Sequence, residues 1–448
     1  MKKKFSLIII LFVLGISLSF GFDFGLSADN STSINTYGER FFGQWDKLAL
    51  WLRTNREKPL SFSFTGSYTF SLERPYLFDV DDLRLKGKFL SGLKGPASFE
   101  FDIGRYQLSD FTSLVVSHKA DGFRFGFRYP FAYVEASFGF TGLLLKPNST
   151  VILSRVDALS TGIDKIKLGS PRLIGELAVQ FPGLFLRQNI TLSALFQEDL
   201  RSTFQNVNTP PEVKLLEEGE KSYYPEKGGS VDSQYFGLGI GGPIGATAIY
   251  YDAFFYLGTG RTLTYIENMY TYTSIFSYLT GGGVRYYNEA LLFSTIALSG
   301  AFASGDSDQM TFFEGNTQGK ATTFTPVSKS TLGLIFSPRL GNIFYLQASY
   351  GLKPLSILKN DLFKELQVSV KGIPFFRTTT GSISEAGIDK TSTDKYLGTE
   401  IDGSVSFRPF SDLGAGLSVG LFMPNEKVFI EEMSGLRFLL RLDFSLLF

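Results

Sequence analysis

The chain has 448 residues, with 43 basic and 43 acidic side chains, one His and no Cys. The lack of Cys excludes disulfides and thiolate metal sites within it, and the balanced charge gives no basic excess of the kind that binds nucleic acid. A mean hydropathy of +0.07, with 46 Phe, 21 Tyr and 47 Gly, fits strands that have one apolar and one polar face.

The N-terminus has the pattern of an export signal. Lys2 to Lys4 form a short basic segment, and residues 5–20 are an apolar run without charge. Ser19 and Gly21 supply small residues for cleavage before position 22. We predict a secretory signal peptide over residues 1–21, because the run is short for a retained anchor across about 30 Å of hydrocarbon. Residues 22–448 are predicted to form one domain.

Alternation of apolar and polar residues recurs along the rest of the chain. The clearest segments are residues 61–70, 82–89, 122–129, 397–408 and 436–448. This period of two predicts strands with one face in lipid and the other facing water. The chain ends on Phe448, which resembles the signal that bacterial outer-membrane barrels present to their assembly machinery.

Short and long connections alternate between these strands. The turn-like connections lie near residues 55–59, 92–96, 128–130, 181–183, 241–243, 287–288, 355–361 and 408–411. The long ones lie near residues 33–44, 73–81, 107–121, 145–170, 199–232, 259–271, 305–341, 377–395 and 425–434. We interpret residues 113–118 and 331–337 as ordered loop. The pattern predicts an all-β, up-and-down antiparallel transmembrane β-barrel of about eighteen strands (16–20) around a water-filled channel.

The rows opposite the apolar ones are predicted to line the channel. Their charged members include Arg84, Lys86, Lys88, Arg124, Arg128, Arg285, Lys371, Glu400, Asp402, Arg408, Arg437 and Arg441. Charged rings set ion selectivity in pores, and the modest basic surplus favours anions. The alternative is that these charges pair across neighbouring strands and only make the wall rigid.

Arg105 breaks the pattern, because it falls on the lipid-facing row of Phe99, Phe101 and Ile103. An arginine facing lipid at mid-membrane costs roughly 2–4 kcal/mol. We therefore expect the strand to end or bulge there and to turn Arg105 into the extracellular mouth.

The longest ordered-looking loop begins with two carboxylates, Asp306 and Asp308. Their oxygens are ligands that Ca²⁺ accepts, but the adjacent Ser and Gly favour a solvated turn. His118 is the single histidine, so Ser–His catalysis would have to use it, and its neighbour Ser117 lies on the opposite face of an extended strand. The sequence predicts no enzyme, no metal site and no cofactor.

Several segments together resemble the alginate-export family of outer-membrane porins. The matching pieces are Gly-Arg-Tyr-Gln-Leu at 104–108, Asp-Gly-Phe-Arg at 121–124, Ser-Gly-Asp at 304–306 with Thr-Phe at 311–312, Leu-Gly-Thr-Glu-Ile-Asp at 397–402 and Phe-Met-Pro-Asn at 422–425. They are spread over residues 97–448, and Tyr106 stands where the family usually has Gln. The resemblance implies an eighteen-stranded porin. The best-known member passes an anionic polysaccharide through a strongly basic constriction, whereas the lining here is mixed.

These observations predict a passive channel in the bacterial outer membrane for hydrophilic solutes, including anionic ones, or for a polysaccharide. An inward-folding loop at 107–121 or 145–170 would contribute to selectivity. The expected partners are outer-membrane lipids and the barrel assembly machinery, and the sequence specifies no oligomeric interface. Two alternatives are a transporter of long-chain fatty acids, which needs a plug and an apolar lumen, and an adhesin that binds through loops 199–232 and 305–341.

Overall fold

The structure is a computed structural model that describes residues 21–37, 41–54, 59–90, 97–154, 157, 168–200, 213–215, 221–223, 230–266, 269–309, 311–313, 316, 318–358 and 362–448. No helix within these ranges is long and apolar enough to span a membrane. Most of the predicted signal peptide, residues 1–20, lies outside the described residues.

Eighteen strands form a single sheet, and two short strands form a separate hairpin. In chain order the strands are β1 Phe22–Asn35, β2 Phe42–Thr54, β3 Leu60–Ser71, β4 Leu77–Leu90, β5 Ser98–Ser109, β6 Ser117–Arg128, β7 Tyr133–Phe140, β8 Arg172–Phe185, β9 Gln188–Asp199, β10 Val213–Leu215, β11 Lys221–Tyr223, β12 Val231–Pro243, β13 Ile249–Ile266, β14 Met269–Asn288, β15 Ser294–Ala303, β16 Ile343–Leu352, β17 Gln367–Arg377, β18 Tyr396–Phe410, β19 Leu413–Pro424 and β20 Arg437–Leu447. The hairpin is β10 and β11.

The large sheet closes on itself. Strand β1 pairs antiparallel with β2 on one side and with β20 on the other. Every other strand of the barrel pairs with its neighbours in sequence, and β9 pairs with β12 across the small hairpin. The predicted eighteen-stranded up-and-down barrel is confirmed.

The two rims of the barrel differ in the length of their connections. Seven connections of two to seven residues and one of fourteen share one rim with the start of β1 and the end of β20: residues 55–59, 91–97, 129–132, 186–187, 244–248, 289–293, 353–366 and 411–412. The other rim has four connections of two to seven residues and five of twelve to thirty-nine: residues 36–41, 72–76, 110–116, 141–171, 200–230, 267–268, 304–342, 378–395 and 425–436. In this fold the short turns are periplasmic and the longer loops extracellular.

Two predicted loops are wrong in their bounds. The loop expected at 259–271 is reduced to 267–268, because β13 and β14 continue their pairing up to Ile266 and Met269. This extension is rich in Thr and Tyr, which favour strands even outside the apolar pattern. The loop expected at 107–121 is reduced to 110–116, since β5 and β6 pair as far as Ser109 and Ser117. Residues 331–337 contain no strand, as predicted.

The outer surface carries the apolar rows that the alternation predicted. On β20, Leu442, Phe444 and Leu446 are exposed, while the alternate Arg441 and Asp443 are partly covered. Exposed apolar side chains that encircle a barrel face the hydrocarbon of the membrane. The inner rows are free to be polar because they never meet lipid.

Loops that fold inward occupy part of the extracellular half of the interior. Their buried apolar side chains form a cluster with residues of the wall, and its loop members include Val115, Val151, Phe324, Val327 and Phe336. Parts of both loops that were expected to fold inward contribute, but residues 321–342 contribute most, and their inward course was not predicted. The periplasmic half keeps a cavity of about 1000 Å³.

The closing seam can be tested with a disulfide, because the chain has no Cys. Leu26 and Phe448 exchange both backbone hydrogen bonds, so Ser31 and Asp443, which are partners in the same register, form a non-hydrogen-bonded pair. Such pairs have Cα atoms about 4.5 Å apart, within the disulfide range of about 4.4–6.8 Å. Ser31→Cys with Asp443→Cys should therefore cross-link under mild oxidation, as seen by electrophoresis without reductant.

The matched control for this seam is Ser31→Cys with Ser445→Cys. Ser445 is one step along the same row and is the register partner of Asp29. A diagonal pair of this kind is about 7–8 Å apart and should stay reduced. Equal cross-linking of both pairs would show that the register of β1 and β20 is wrong.

Candidate functional site

The candidate site is the lumen, and its most charged surface is a group that we call the basic wall: Arg53, Arg84, Lys86, Lys88 and Arg124. These residues come from β2, β4 and β6, where they alternate with outward-facing apolar residues such as Leu52, Leu85 and Phe125. They line a cavity of about 380 Å³ together with two acidic side chains from β5. The wall therefore presents more positive than negative charge to the space in front of it.

The wall is partly neutralised by carboxylates on neighbouring strands. The Lys88 ammonium lies 3.0 Å from Glu100 and the Lys86 ammonium 3.9 Å from Asp102, which also accepts a hydrogen bond from Arg124. Cross-strand pairing therefore holds this part of the wall, as the alternative interpretation expected. However, Lys86 and Lys88 keep side-chain exposures of 44% and 62%, so both ammonium groups remain reachable from the lumen.

Two arginines of the wall region lie on aromatic rings. The Arg53 guanidinium lies 5.3 Å from the centroid of Trp51, and that of Arg128 lies 4.9 Å from the centroid of Tyr133. A ring face attracts a cation without cancelling its charge. These contacts orient the guanidinium groups and leave the surface basic.

The large periplasmic cavity has an aromatic lining with one predicted arginine. Arg285 lies there, 3.6 Å from Asp252, beside Tyr250, Tyr287 and Phe111. Phe111 belongs to the inward loop 110–116 and stacks on Tyr256 of the wall.

The inward loop 110–116 is held by one buried carboxylate. Asp110 accepts the backbone N–H groups of Val115 and Val116 at 3.0 and 2.7 Å and the hydroxyl of Tyr256 at 2.7 Å. Three donors satisfy a buried carboxylate and fix the loop against β13. This anchor makes the loop a fixed narrowing of the lumen.

The remaining predicted lining residues on the last strands are divided between different surroundings. Arg408 lines a third cavity of about 560 Å³, in which Asp443 also lies, and Arg441 donates to Asp443 at 3.1 Å. Arg437 instead packs between the rings of Phe422 and Phe429, 5.5 and 5.3 Å from their centroids.

Lys371, Glu400 and Asp402 lie beneath the inward loop. Glu400 is fully buried and Asp402 almost so, because residues 332–336 of the loop cover both carboxylates. Nothing in the local alternation distinguished these residues from the exposed basic wall, because the covering segment is far away in sequence.

Arg105 fills a gap in the wall. Pairing of β4 with β5 stops at Leu83 and Arg105. Of the two irregularities expected here, the strand end is not found, since β5 continues to Ser109, but β5 loses its β4 partner. The guanidinium crosses the gap to the carbonyl of Val80 at 2.7 Å and lies 2.9 Å from Asp121 and 3.3 Å from Asp79. At 9% exposure, the charge is shielded from lipid by these partners and by the carbonyl of Leu143 in the connection 141–171, to which Arg105 donates at 3.2 Å.

Asp306 is used by its own loop. Its carboxylate accepts the Asn316 side-chain amide at 2.5 Å and the Thr322 N–H at 3.0 Å. Burial raises the pKa of Asp306, but these hydrogen bonds outweigh it, so the pKa lies below the usual value. The described residues contain no group of three His, Cys, Asp or Glu placed to hold a metal, and Asp308 lies 3.4 Å from the same Asn316 amide.

The contacts of His118 are with the inward connection 141–171 and not with its neighbour Ser117. Its Nδ1 lies 3.2 Å from the hydroxyl of Thr150, and the Ser117 hydroxyl instead accepts a bond from Gln107. The ring is buried among the inward loops. The histidine thus packs the interior.

A closed eighteen-stranded barrel with inward loops and a charged lumen is the fold class of large outer-membrane porins. Several solved structures of proteins from Pseudomonas aeruginosa are similar to it in fold. OccK3 (OpdO) matches at 10% identity and a TM-score of 0.56, covering 95% of both chains. OccK11 (OpdR) matches at 11% and 0.55, covering 95% of this chain and 96% of that one, and the outer membrane protein OprD at 12% and 0.54, covering 95% and 94%.

No protein-family model and no curated protein matches the sequence. At these identities the structural likeness establishes the fold. The resemblance to alginate-export porins is not supported by a family match.

The gap-filling role of Arg105 predicts a large cost when it is removed. Arg105→Ala leaves Asp79 and Asp121 without their cation in a poorly solvated place, and breaking such a pair costs about 3–5 kcal/mol. The free energy of unfolding in urea, measured on protein folded into lipid vesicles, should fall by that amount. The control Lys88→Ala removes an exposed pair and should cost about 1 kcal/mol or less. Equal costs would contradict the role assigned to Arg105.

Proposed function

We propose that this protein is a passive outer-membrane channel for small hydrophilic solutes that carry a carboxylate. The observation that carries the proposal is the basic wall: five basic and two acidic side chains line one cavity of the lumen. Solved structures with the same fold give support, because OccK2 (OpdF) is in complex with glucuronate and OpdK is with vanillate, and both ligands are carboxylates.

The wall attracts an anion without trapping it. A conducting site must bind strongly enough to admit a solute and weakly enough to release it. Glu100 and Asp102 compete with a passing carboxylate for Lys86, Lys88 and Arg124. A solute thus exchanges one ion pair for another at each step, and no catalytic chemistry is needed.

The wider setting is part of the same proposal. Residues 1–21 direct export and are removed, the assembly machinery inserts the barrel, and the apolar outer rows contact lipid. Phe448 fits the assembly signal, because it pairs with Leu26 at 2.8 and 3.1 Å and lies at the periplasmic rim, with 70% of its surface exposed.

Passage of small hydrophilic solutes fits the structure better than polysaccharide export, fatty-acid transport or adhesion. An alginate-export-like channel would pass an extended anionic polysaccharide, but inward loops occupy part of the extracellular half of this barrel. A carrier of fatty acids needs an apolar lumen, whereas the cavity at the basic wall is charged. An adhesin would bind through loops 199–232 and 305–341. Residues 201–212 of the first loop lie outside the described residues, and side chains of the second loop such as Phe324 and Phe336 are buried in the interior cluster.

The charge of the basic wall should control ion selectivity. The purified wild-type barrel should conduct in planar bilayers and show a reversal potential on the anion-selective side in a salt gradient. Arg84→Glu should move that potential toward cation selectivity, because the side chain lines the cavity.

The control is Arg261→Glu, the same change of charge at an exposed position on the extracellular extension of β13. It should leave the reversal potential close to that of the wild type. A folded wild-type barrel without current, or an equal response to both substitutions, would refute the proposed function.

A further inference from the structure

One segment of the longest described inward loop covers two carboxylates of the barrel wall. We call residues 332–336 the tip. The backbone N–H groups of Ile335 and Phe336 donate to the two oxygens of Glu400 at 2.8 and 2.7 Å, and that of Leu334 donates to Asp402 at 3.2 Å. Three consecutive peptide groups therefore replace the water that these carboxylates would otherwise bind.

The tip is fixed by packing as well as by hydrogen bonds. The Phe336 ring stacks on Phe422 of β19, with centroids 4.6 Å apart and planes 4° from parallel, and meets Phe375 and Phe429 edge-on. Gly333 lies directly against Glu400, since a Cβ at this position would overlap the carboxylate. A larger residue at position 333 would therefore displace either the tip or the Glu400 carboxylate from its present position.

Asp402 has a cation beside it, whereas Glu400 has none within salt-bridge distance in the described chain. Lys371 lies 3.2 Å from Asp402 and also donates to the Leu332 carbonyl at 2.8 Å. For Glu400, the described chain shows no Lys or Arg within 4.0 Å, and its partners are the tip amides and the Asp402 side chain. The tip amides and the neighbouring carboxylate thus take the place of a cation at Glu400.

Glu400 and Asp402 occupy the inward row of β18, whose opposite row carries the exposed Ile401. Without the tip, both carboxylates would face the lumen and offset part of the basic wall. We infer that the tip is a selectivity element that masks these two carboxylates, so that the lumenal surface reached by solutes stays basic. This inference rests on the proposed function as an anion-preferring channel.

The test removes the tip without moving its ends. Ser330 and Ser337 already touch, with the Ser337 hydroxyl 3.3 Å from the Ser330 carbonyl, so two glycines can replace residues 331–336. In planar bilayers the shortened barrel should show a reversal potential shifted toward cation selectivity. Adding Glu400→Gln and Asp402→Asn to the shortened barrel should move the potential back toward the wild-type value.

A point substitution tests the same idea in the full-length chain. Gly333→Val places a branched side chain where the Glu400 carboxylate lies, so the tip and the carboxylate must separate, and the reversal potential should shift in the same direction as with the deletion. The matched control is Gly403→Ala on β18, where a Cβ meets open space and no shift is expected.

The outcomes separate the two proposals. A wild-type barrel that does not conduct refutes the proposed function and, with it, this inference. If the barrel conducts but the deletion does not change its reversal potential, only the inference that the tip masks Glu400 and Asp402 is refuted. A shift of the reversal potential that persists after Glu400→Gln and Asp402→Asn also refutes this inference, because the two carboxylates would then not be the cause of the shift. If the deletion prevents folding, Gly333→Val decides by the same criterion.

Discussion

The structure depends on the hydrogen bonds between β1 and β20, because they leave the sheet without an edge. In hydrocarbon an unpaired backbone group costs several kcal/mol, so a sheet that crosses a membrane must close. Residues Ser27–Asn35 pair with Leu439–Leu447 and complete the ring. Once the backbone is satisfied, the outer rows need only be apolar, and the inner rows can carry charges such as Lys86 and Arg124.

Closure with eighteen strands creates a second requirement. A ring this wide cannot be filled by the side chains of its own wall, so the inward loops supply part of the interior of the extracellular half. These loops need fixed attachment points, and buried polar side chains provide them. Asn342, at a positive φ of 56°, donates to the Gly381 carbonyl at 2.8 Å and accepts the Thr379 N–H at 2.7 Å. Asp110 and Glu400 act in the same way, as acceptors for loop amides.

The period of two was enough to predict the barrel, because a lipid-facing row leaves a local signature in each strand. It also identified Arg105 as an exception, since a charge on that row needs a structural explanation. The period did not reveal how Arg105 is accommodated, because this depends on where β4 and β5 stop pairing. It also did not reveal that Glu400 is buried. In sequence, Glu400 and Arg84 both occupy polar positions between apolar ones. The tip, which is distant in sequence, buries Glu400, whereas Arg84 lines an open cavity.

This difference bears on how such a barrel is tuned. The inward rows of β4 to β6 and of β17 to β19 both carry charge, but the solute meets only what the loops leave uncovered. Lys88 projects into a cavity, whereas Asp402 is covered by Lys371 and the tip. Two barrels with identical strands and different loop courses would therefore present different net charges to a solute. Loop docking thus acts together with strand composition in setting the electrostatics of the lumen, and it does so through backbone amides that no charge count of the sequence includes.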